Sequence, residues 1–443
     1  MSKKYVVLLL TNRDSDNVGD QIIEACDISL LRAVFRNLGF REGTFEIRSR
    51  AAGMITQQYL KTGNEELLKS AIDAIKEADL LIFGGAPLFN YKYQSFYRRT
   101  IKTLEIANEF HVPVIFSSIG MEAYDEDNPK CQKLKAALNL PCVKQITTRD
   151  DFATLEKYII RNDISIAKVS DPALFAGIIF RDTKAGLLHA FIYRVLVRLL
   201  RRGHIGAGKT FKSTKSDKPI IGLVVVRKGI FADNDIDFPE DEQMRFWEEA
   251  ISLIEDRGYD YRLFTTGHFS DEIFLDHFSR EGRASAGKCV FNINSPEELI
   301  CQIRQCNGVI AYRLHASITA NSFLIPSVGL EWNQKIPFYY DAVGYPHRML
   351  SRKDWNAQTV VSVLEEAMKE GIRIDEQYMM TVYDTLFHSI KKLLKSEYDI
   401  SAYSYKDLKK SLPLYSGTSN GEYMQKLVRK FKRIYDNYHK YAE

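Results

Sequence analysis

The chain has 443 residues, enough for two or three domains, and its ordinary apolar and charged content predicts a folded globular protein. A net charge of +4 is too small to indicate a nucleic-acid-binding protein, and none is expected as a partner. The six cysteines have no C-x-x-C spacing, so they predict reduced thiols in a cytoplasmic protein rather than a zinc site. No stretch approaches the roughly eighteen consecutive apolar residues of a transmembrane helix.

The first 180 residues alternate short apolar runs with helical periods. YVVLLLT at residues 5–11 predicts a buried strand, and residues 20–39 predict a helix with apolar side chains three and four apart. Further apolar runs predict strands at residues 80–85, 113–120 and 144–150. Strands that are apolar throughout, with helices between them, indicate a parallel sheet covered on both faces. Residues 1–180 are therefore predicted to form a Rossmann-like lobe.

The same alternation begins again at residue 219. Strands are predicted at 219–227, 261–266, 308–313 and 325–331, with helices at 242–258 and 296–306 between them. Residues 219–370 thus form a second predicted lobe, followed by a helical C-terminal extension at 371–443. The predicted fold class is α/β, with two Rossmann-like lobes that face a cleft and bind ligands at the carboxyl ends of their strands.

Residues 181–218 differ in composition from both lobes and predict a linker. This linker contains GHIGAGKT (203–210), which matches the phosphate-binding pattern G-x-x-x-x-G-K-[ST]. That pattern binds phosphate where a strand leads into it and a helix follows it. Here a basic helix precedes it and the loop-like FKSTKSDKP follows, so we interpret the match as accidental.

Before this pattern, LLHAFIYRVLVRLLRRGH predicts a basic amphipathic helix, with arginines opposite an apolar face. One interpretation is a helix that joins the two lobes and buries its apolar face on one of them. The alternative is a membrane-surface helix, since arginines beside apolar side chains suit an anionic leaflet. The C-terminal tail is also basic and aromatic. Residues 184–202 and this tail are therefore the candidate regions for peripheral contact with the inner face of the cell membrane.

Candidate site residues occur in loops that follow predicted strands. In Asn17-Val18-Gly19-Asp20, Asn17 or Asp20 could cap a helix, whereas Asp20 could equally be a carboxylate at the mouth of the cleft. Gly84 and Gly85 end a strand, where paired glycines permit either a close approach to a ligand or a tight turn.

Two further loops carry arginine. Arg149 could bind a carboxylate or phosphate with its guanidinium group, or it could pair with Asp150 or Asp171 as a structural bridge. Arg313 and His315 follow a strand where a helix begins, which suits anion binding and proton transfer. Because a lone histidine is more often structural than catalytic, this pair needs support from the other loops.

The order and spacing of these short motifs are more specific than any one of them. The set consists of Asn17-x-Gly19-Asp20, Gly84-Gly85, Thr148-Arg149-Asp150, Asp171-Pro172-Ala173-Leu174, Arg227 at a strand end, Arg313-Leu314-His315, Pro326 and Lys335. In this set the chain resembles the polysaccharide pyruvyl transferase family, over residues 5 to about 350. Two positions depart from the family pattern: Ala86 stands where a third glycine is common, and Trp332 where a tyrosine-like residue is expected.

The resemblance implies a GT-B-like fold and an enzyme of cell-surface polysaccharide biosynthesis. Members of the family transfer pyruvate from phosphoenolpyruvate to two hydroxyls of a sugar as a cyclic ketal. The resemblance places the active-site arginine and histidine on Arg313 and His315. It also places an acidic residue and a second arginine, both from the N-terminal lobe, on Asp20 and Arg149.

The residue types agree with this chemistry. Phosphoenolpyruvate carries a carboxylate and a phosphate, so its site needs cations such as Arg149 and Arg313. His315 is the candidate general acid, and Asp20 is the candidate base that takes a hydroxyl proton. No step needs a metal or a redox cofactor, and the sequence shows no cluster of metal ligands. The other predicted substrate-binding residues are Arg227, Lys335, Asn17, Gly19, Gly84 and Gly85.

Two other functions stay open at this point. A GT-B-like glycosyltransferase would bind a nucleotide sugar in the second lobe. A non-catalytic relative would bind a glycan or scaffold a membrane assembly through the basic helix. The presence of both Arg313 and His315 favours the enzyme, whose acceptor would be a sugar, either lipid-linked or polymeric.

Overall fold

The computed structural model describes residues 4–86, 88–91, 96–200, 217–227, 229–395 and 399–442. The chain forms two compact α/β units. The first contains residues 1–14, 23–175 and 375–413, and the second contains residues 15–22, 176–374 and 414–443. GHIGAGKT, at residues 203–210, lies outside the described residues, so its interpretation as an accidental match stays a prediction.

The described strands and helices alternate along most of the chain. The strands are β1 Tyr5–Thr11, β2 Phe45–Ala51, β3 Leu80–Gly84, β4 Val114–Ile119, β5 Val143–Thr148, β6 Ser165–Lys168, β7 Ile220–Val224, β8 Asp260–Phe264, β9 Cys289–Val290, β10 Gly308–Ala311, β11 Ser327–Leu330 and β12 Met349–Leu350. The helices are α1 Val18–Asn37, α2 Gln57–Thr62, α3 Lys69–Lys76, α4 Phe96–Glu109, α5 Pro129–Leu138, α6 Phe152–Tyr158, α7 Ala176–Ile179, α8 Leu187–Leu200, α9 Glu240–Asp256, α10 Phe269–Arg280, α11 Pro296–Ile303, α12 Leu314–Ser322, α13 Lys335–Ala342, α14 Ala357–Glu370, α15 Glu376–Leu393, α16 Tyr405–Ser411 and α17 Asn420–Ala442.

The sheet of the first unit is parallel, in the order β2-β1-β3-β4-β5-β6. Strands β3 and β4 are buried along their whole length, which explains their continuous apolar sequences. Strand β2 is not among the predicted strands. It lies at the edge of the sheet, and its sequence FEIRSRA is mostly half-buried, so no apolar run marks it.

The order of these strands defines where ligands can bind. The chain passes from β1 to β2 on one side of the sheet and then to β3 on the other side of β1. At such a switch point the connections leave a crevice at the carboxyl ends of the two central strands. In this unit those ends are Thr11 of β1 and Gly84 of β3.

The second unit repeats the arrangement. Its parallel sheet has the order β12-β11-β10-β7-β8-β9, so the switch point lies between β7 and β10. Arg227 follows the end of β7 by three residues, and Arg313 follows the end of β10 by two. The topology therefore places both arginines at the crevice of this sheet.

The C-terminal helices are divided between the units. Helices α15 and α16 belong to the first unit, where the Ser170 hydroxyl donates a hydrogen bond to the carbonyl oxygen of Met379 (2.9 Å). Helix α17 belongs to the second, and its buried Tyr423, Leu427 and Phe431 join the apolar core there.

The predicted limits of the lobes and the linker, at residues 180, 218 and 370, stay a prediction. Among the described residues, no helix combines the length and the apolar character that crossing a bilayer requires.

Candidate active site

The N-termini of three helices lie close together in the second unit. The backbone N–H of Val18, the first residue of α1, donates a hydrogen bond to the carbonyl oxygen of Thr266 before α10 (2.7 Å). The ring of His315, in the first turn of α12, packs against Gly19 in the first turn of α1. Helix N-termini carry partial positive charge and free N–H groups, so this arrangement favours an anionic ligand.

Arg313 is oriented by a buried carboxylate. Its Nε donates to Oδ2 of Asp271 (2.8 Å), and its Nη2 donates to Oδ1 of the same side chain (2.9 Å). The Asp271 side chain is fully buried, whereas Arg313 retains 16% exposure. A guanidinium group has five N–H donors. Asp271 therefore fixes the plane of the group while further donors remain for a ligand.

Asp271 also contacts the other arginine loop, because its Oδ1 accepts a hydrogen bond from the backbone N–H of Arg227 (3.0 Å). The side chain of Arg227 pairs with Asp233. Next to them, burial lowers the pKa of His268 to about 4, against the opposing effect of Asp271. Neither Asp271 nor His268 was selected from the sequence. The available signal was weak: Asp271 is one of two acidic residues in the first turn of α10.

Asp20 and His315, the predicted base and general acid, lie close together. The Nδ1 atom of His315 is 4.0 Å from Oδ1 of Asp20, and both side chains are largely buried. A Cβ atom added to Gly19 would lie 2.6 Å from this Nδ1 atom, so glycine is required for the close approach. This gives a physical reason for glycine beside aspartate in the motif.

Asn17 and Asp20, the two residues that could cap helix α1, have different contacts. The side-chain oxygen of Asn17 accepts a hydrogen bond from the backbone N–H of Gly19 (3.2 Å), so Asn17 caps α1. Asp20 lies in the first turn of the same helix and points to His315 instead. The predicted role of Asn17 in substrate binding stays a prediction.

Lys335 and Trp332 lie after β11, the neighbour of β10. Lys335 is the first residue of α13, and its backbone N–H donates to the side-chain oxygen of Asn333 (3.1 Å). Trp332 donates its indole N–H to the carbonyl oxygen of Tyr312 (2.6 Å), the residue before Arg313. Trp332 is one of the positions at which the sequence departs from the family pattern. Its hydrogen bond connects the loop after β11 to the loop that contains Arg313.

In the first unit, Arg149 forms an ion pair with Asp171, one of the two partners that the sequence suggested. Both side chains are buried, with 6% and 3% exposure. Asp150 instead accepts a hydrogen bond from the backbone N–H of Met121 (2.9 Å). Arg149 lies at the end of β5, and its predicted contact with substrate is compatible with this pair, since a guanidinium group can serve two anions.

Gly84 and Gly85 give room to helix α1. A Cβ atom at Gly84 would collide with the carboxylate of Asp27, and one at Gly85 would collide with Ile23. Both glycines thus have a packing role at the switch point. Their predicted role in substrate binding stays a prediction.

Asp27 is a buried carboxyl group that the sequence analysis missed. Neither of its oxygens has a hydrogen-bond partner among the described residues. Burial raises the pKa of Asp27 well above its ordinary value, Asp171 adds to this effect, and Arg149 opposes it. A carboxyl group inside an amphipathic helix carries no sequence signal of such an environment.

Helix α17 contributes cations to the loop that precedes Asp20. Nη1 of Arg433 contacts Oδ2 of the buried Asp16 (2.9 Å), and Nζ of Lys426 donates to the side-chain oxygen of Gln21 (2.8 Å). Burial, together with the charge of Lys430, lowers the pKa of Lys426 to about 7. In the described part of the chain, no group of three or more His, Cys, Asp or Glu side chains is arranged to hold a metal ion.

Two parallel six-stranded sheets, each with polar residues at its switch point, define a GT-B-like α/β protein. The family model for polysaccharide pyruvyl transferase matches residues 9–334, well over half of the chain. The chain therefore belongs to the polysaccharide pyruvyl transferase family, and the family predicted from its motifs is confirmed.

Solved structures confirm the fold class. A putative UDP-N-acetylglucosamine 2-epimerase from Listeria monocytogenes is similar with a TM-score of 0.53 and 12% identity, over 91% of this chain and 99% of that one. The UDP-GlcNAc 2-epimerase from Neisseria meningitidis bound to UDP-GlcNAc has a TM-score of 0.50 and 10% identity, over 89% and 100%. At these identities the likeness shows the fold alone. No curated protein matches the chain.

Proposed function

We propose that the protein transfers pyruvate from phosphoenolpyruvate to two hydroxyls of a sugar, as a cyclic ketal, in the synthesis of a cell-surface polysaccharide. The observation that supports this most is the site of the second unit. There Arg313, held by Asp271, lies two residues from His315, which in turn lies beside Asp20. A cation for the donor and a pair of proton-transfer groups occupy one crevice.

The donor requires cations because it carries both a carboxylate and a phosphate. Arg313 is the proposed anchor, since Asp271 occupies its Nε and Nη2 atoms. Its Nη1 atom has no hydrogen-bond partner among the described residues, so it is the proposed donor to the ligand. The N-terminus of α12 adds backbone N–H groups to the same place. Arg227 and Lys335 are the further proposed donor-binding residues, and Arg149 is the proposed substrate-binding arginine of the first unit.

The proposed reaction begins with proton transfer from His315 to the methylene carbon of phosphoenolpyruvate. The central carbon becomes electrophilic, and a sugar hydroxyl adds to it while Asp20 accepts the hydroxyl proton. A second hydroxyl then displaces phosphate from the same carbon and gives its proton to the deprotonated His315, which closes the ketal ring. Asp20 passes its proton to the departing phosphate, and inorganic phosphate is released. General acid and base groups of this kind typically each contribute about 10²–10⁴-fold to the rate. No step requires an oxidant or a reductant.

The acceptor is proposed to be a sugar that is lipid-linked or part of a polymer. We place the protein in the cytoplasm, at the inner face of the cell membrane. Residues 184–202 are the proposed region of membrane contact.

Calorimetry with phosphoenolpyruvate tests the donor. We expect the wild-type chain to bind it, Arg313→Ala to lose binding, and His315→Ala to retain binding but lose transfer. Asp271→Asn should weaken binding, because the neutral amide holds the guanidinium less firmly. Arg245→Ala is the matched control, since it removes an exposed arginine of α9 that pairs only loosely with Asp241 (3.4 Å).

Two results would contradict the proposal. Binding of UDP-GlcNAc without binding of phosphoenolpyruvate would favour a nucleotide-sugar glycosyltransferase. Binding of a glycan without either donor would favour a non-catalytic relative. ATP is a further control, because its binding would direct attention back to GHIGAGKT.

A further inference from the structure

Helix α8 presents an apolar face to solvent. Leu187 is 90% exposed, and Phe191 and Leu199 are 61% and 63% exposed. Side chains three and four residues apart lie on one side of a helix. We define the α8 stripe as the exposed residues that follow this spacing, namely Leu188, Phe191, Val195 and Leu199.

The opposite face of α8 is already occupied. The ring of His189 stacks on Tyr423 of α17, with ring centroids 4.1 Å apart, and Tyr193 packs edge-on against Phe431. Val197 is buried in the core of the second unit. The predicted burial of an apolar face therefore applies only to the side of α8 that contains His189, Tyr193 and Val197. The described residues of the chain leave the α8 stripe exposed.

Positive charge accompanies the stripe. Arg194 and Arg198 on the same helix are exposed. Residues 184–202 contain five lysine and arginine residues and no aspartate or glutamate. Large exposed apolar surfaces usually mark an interaction site. Cations beside an apolar stripe match a surface that is anionic outside and apolar beneath.

The C-terminal helix α17 differs from α8 in this respect. Its Lys426 and Lys430 are buried, and Lys430 forms an ion pair with the buried Glu272. Arg433 contacts Asp16. The two buried lysines thus serve the interior of the second unit and are not available to a membrane.

We propose that α8 docks the protein on an anionic bilayer, with the α8 stripe inserted at the boundary between headgroups and acyl chains and with Arg194 and Arg198 on the phosphates. This inference does not rest on the proposed reaction. A bilayer fits the stripe better than a second copy of the chain does. A symmetric pair of α8 helices would bring the arginines of both copies together with no acidic residue on either helix to compensate them.

Co-sedimentation with vesicles tests the inference. The full-length chain should bind vesicles of phosphatidylcholine mixed with phosphatidylglycerol, and bind vesicles of phosphatidylcholine alone far less. Phe191→Gln with Leu199→Gln should abolish binding, because the apolar insertion is lost. Arg194→Gln with Arg198→Gln should lower the affinity by about 25-fold, at about fivefold for each arginine near the surface. Added salt should weaken binding of the wild-type chain.

Met424→Gln with Val428→Gln is the matched control. It removes two exposed apolar side chains from α17, the neighbouring helix, and should leave vesicle binding unchanged. Equal loss of binding in this control would contradict a site on α8. Failure of the wild-type chain to bind anionic vesicles would overturn the inference. So would self-association that the Phe191 and Leu199 changes abolish, because the stripe would then be an interface between copies.

Discussion

Gly19 lies against the ring of His315 at a distance that leaves no room for a side chain. We expect Gly19→Ala to lower kcat by about 100-fold, because the added methyl group would push His315, the proposed general acid, out of its position. Alanine is favoured over glycine within a helix, so α1 itself should not be weakened. Steady-state kinetics with phosphoenolpyruvate and an acceptor provides the measurement.

Gly421→Ala is the control for this change. Gly421 also lies in a helix, α17, and nothing lies within 4 Å of the added Cβ atom. Its activity should equal that of the wild-type chain. If Gly19→Ala retains full activity, then His315 does not need the position seen here, and its role as the general acid is contradicted.

Asp27 gives a second prediction at the scale of one residue. The pKa of Asp27 is raised in the folded state, whereas the carboxyl group of an unfolded aspartate has a pKa of about 4. The folded chain therefore keeps this proton to a higher pH than the unfolded chain does. The stability contributed by this group is complete below a pH of about 4 and is lost as the pH rises. We expect Asp27→Asn to stabilise the protein at neutral pH, on the order of 1 kcal/mol, and to have little effect in acid.

Urea unfolding of both chains at several pH values measures this difference. Asp73→Asn, which changes an exposed carboxylate on α3, should show no such growth with pH. A gain for Asp27→Asn that is equal at acidic and neutral pH would show that ionisation of Asp27 is not its cause.

Helix α17 shows how an element outside the family match supports the second unit. The match ends at residue 334, whereas α17 begins at Asn420. Nζ of Lys430 contacts Glu272 and also donates to the carbonyl oxygens of Gly267 and Ile293 (both 3.3 Å). Lys430 thus joins α17 to α10, the helix that holds Asp271, and to the loop before it.

The Lys430–Glu272 pair can be tested by a double-mutant cycle. Lys430→Met should destabilise the protein by about 3–5 kcal/mol, because Glu272 would remain buried without its cation. Lys430→Met with Glu272→Leu should recover most of this loss, since no charge would remain unpaired. Free energies of unfolding in urea measure both. Additive effects of the two changes would contradict a coupled buried pair.

Each of the two units is built from three separate segments of the chain. Residues 15–22 belong to the second unit although β1 and the rest of α1 belong to the first. Residues 375–413 likewise belong to the first unit, and 414–443 to the second. Asp20, which was assigned to the N-terminal lobe, is thus part of the same unit as Arg313 and His315. A strand-to-helix loop can group with a different unit from the strand that precedes it.

The main strands and helices were predictable because buried parallel strands require apolar runs and because glycine and polar residues end them. The edge strand β2 was not, since half of its surface faces away from the core. The residues of the candidate site were selected from Asn17-x-Gly19-Asp20 and Arg313-Leu314-His315, because side chains of these types suit proton transfer and anion binding. Their roles stay a prediction.

Only the tertiary structure decided which partners these residues have. Asp271 fixes Arg313, Asp171 holds Arg149, and Asp27 is buried without a hydrogen-bond partner among the described residues. Asp271 and Asp171 lie far along the chain from the arginines that they hold. Asp27 lies inside a helical pattern. Sequence patterns report the local period of a chain, whereas burial and charge depend on contacts between distant segments.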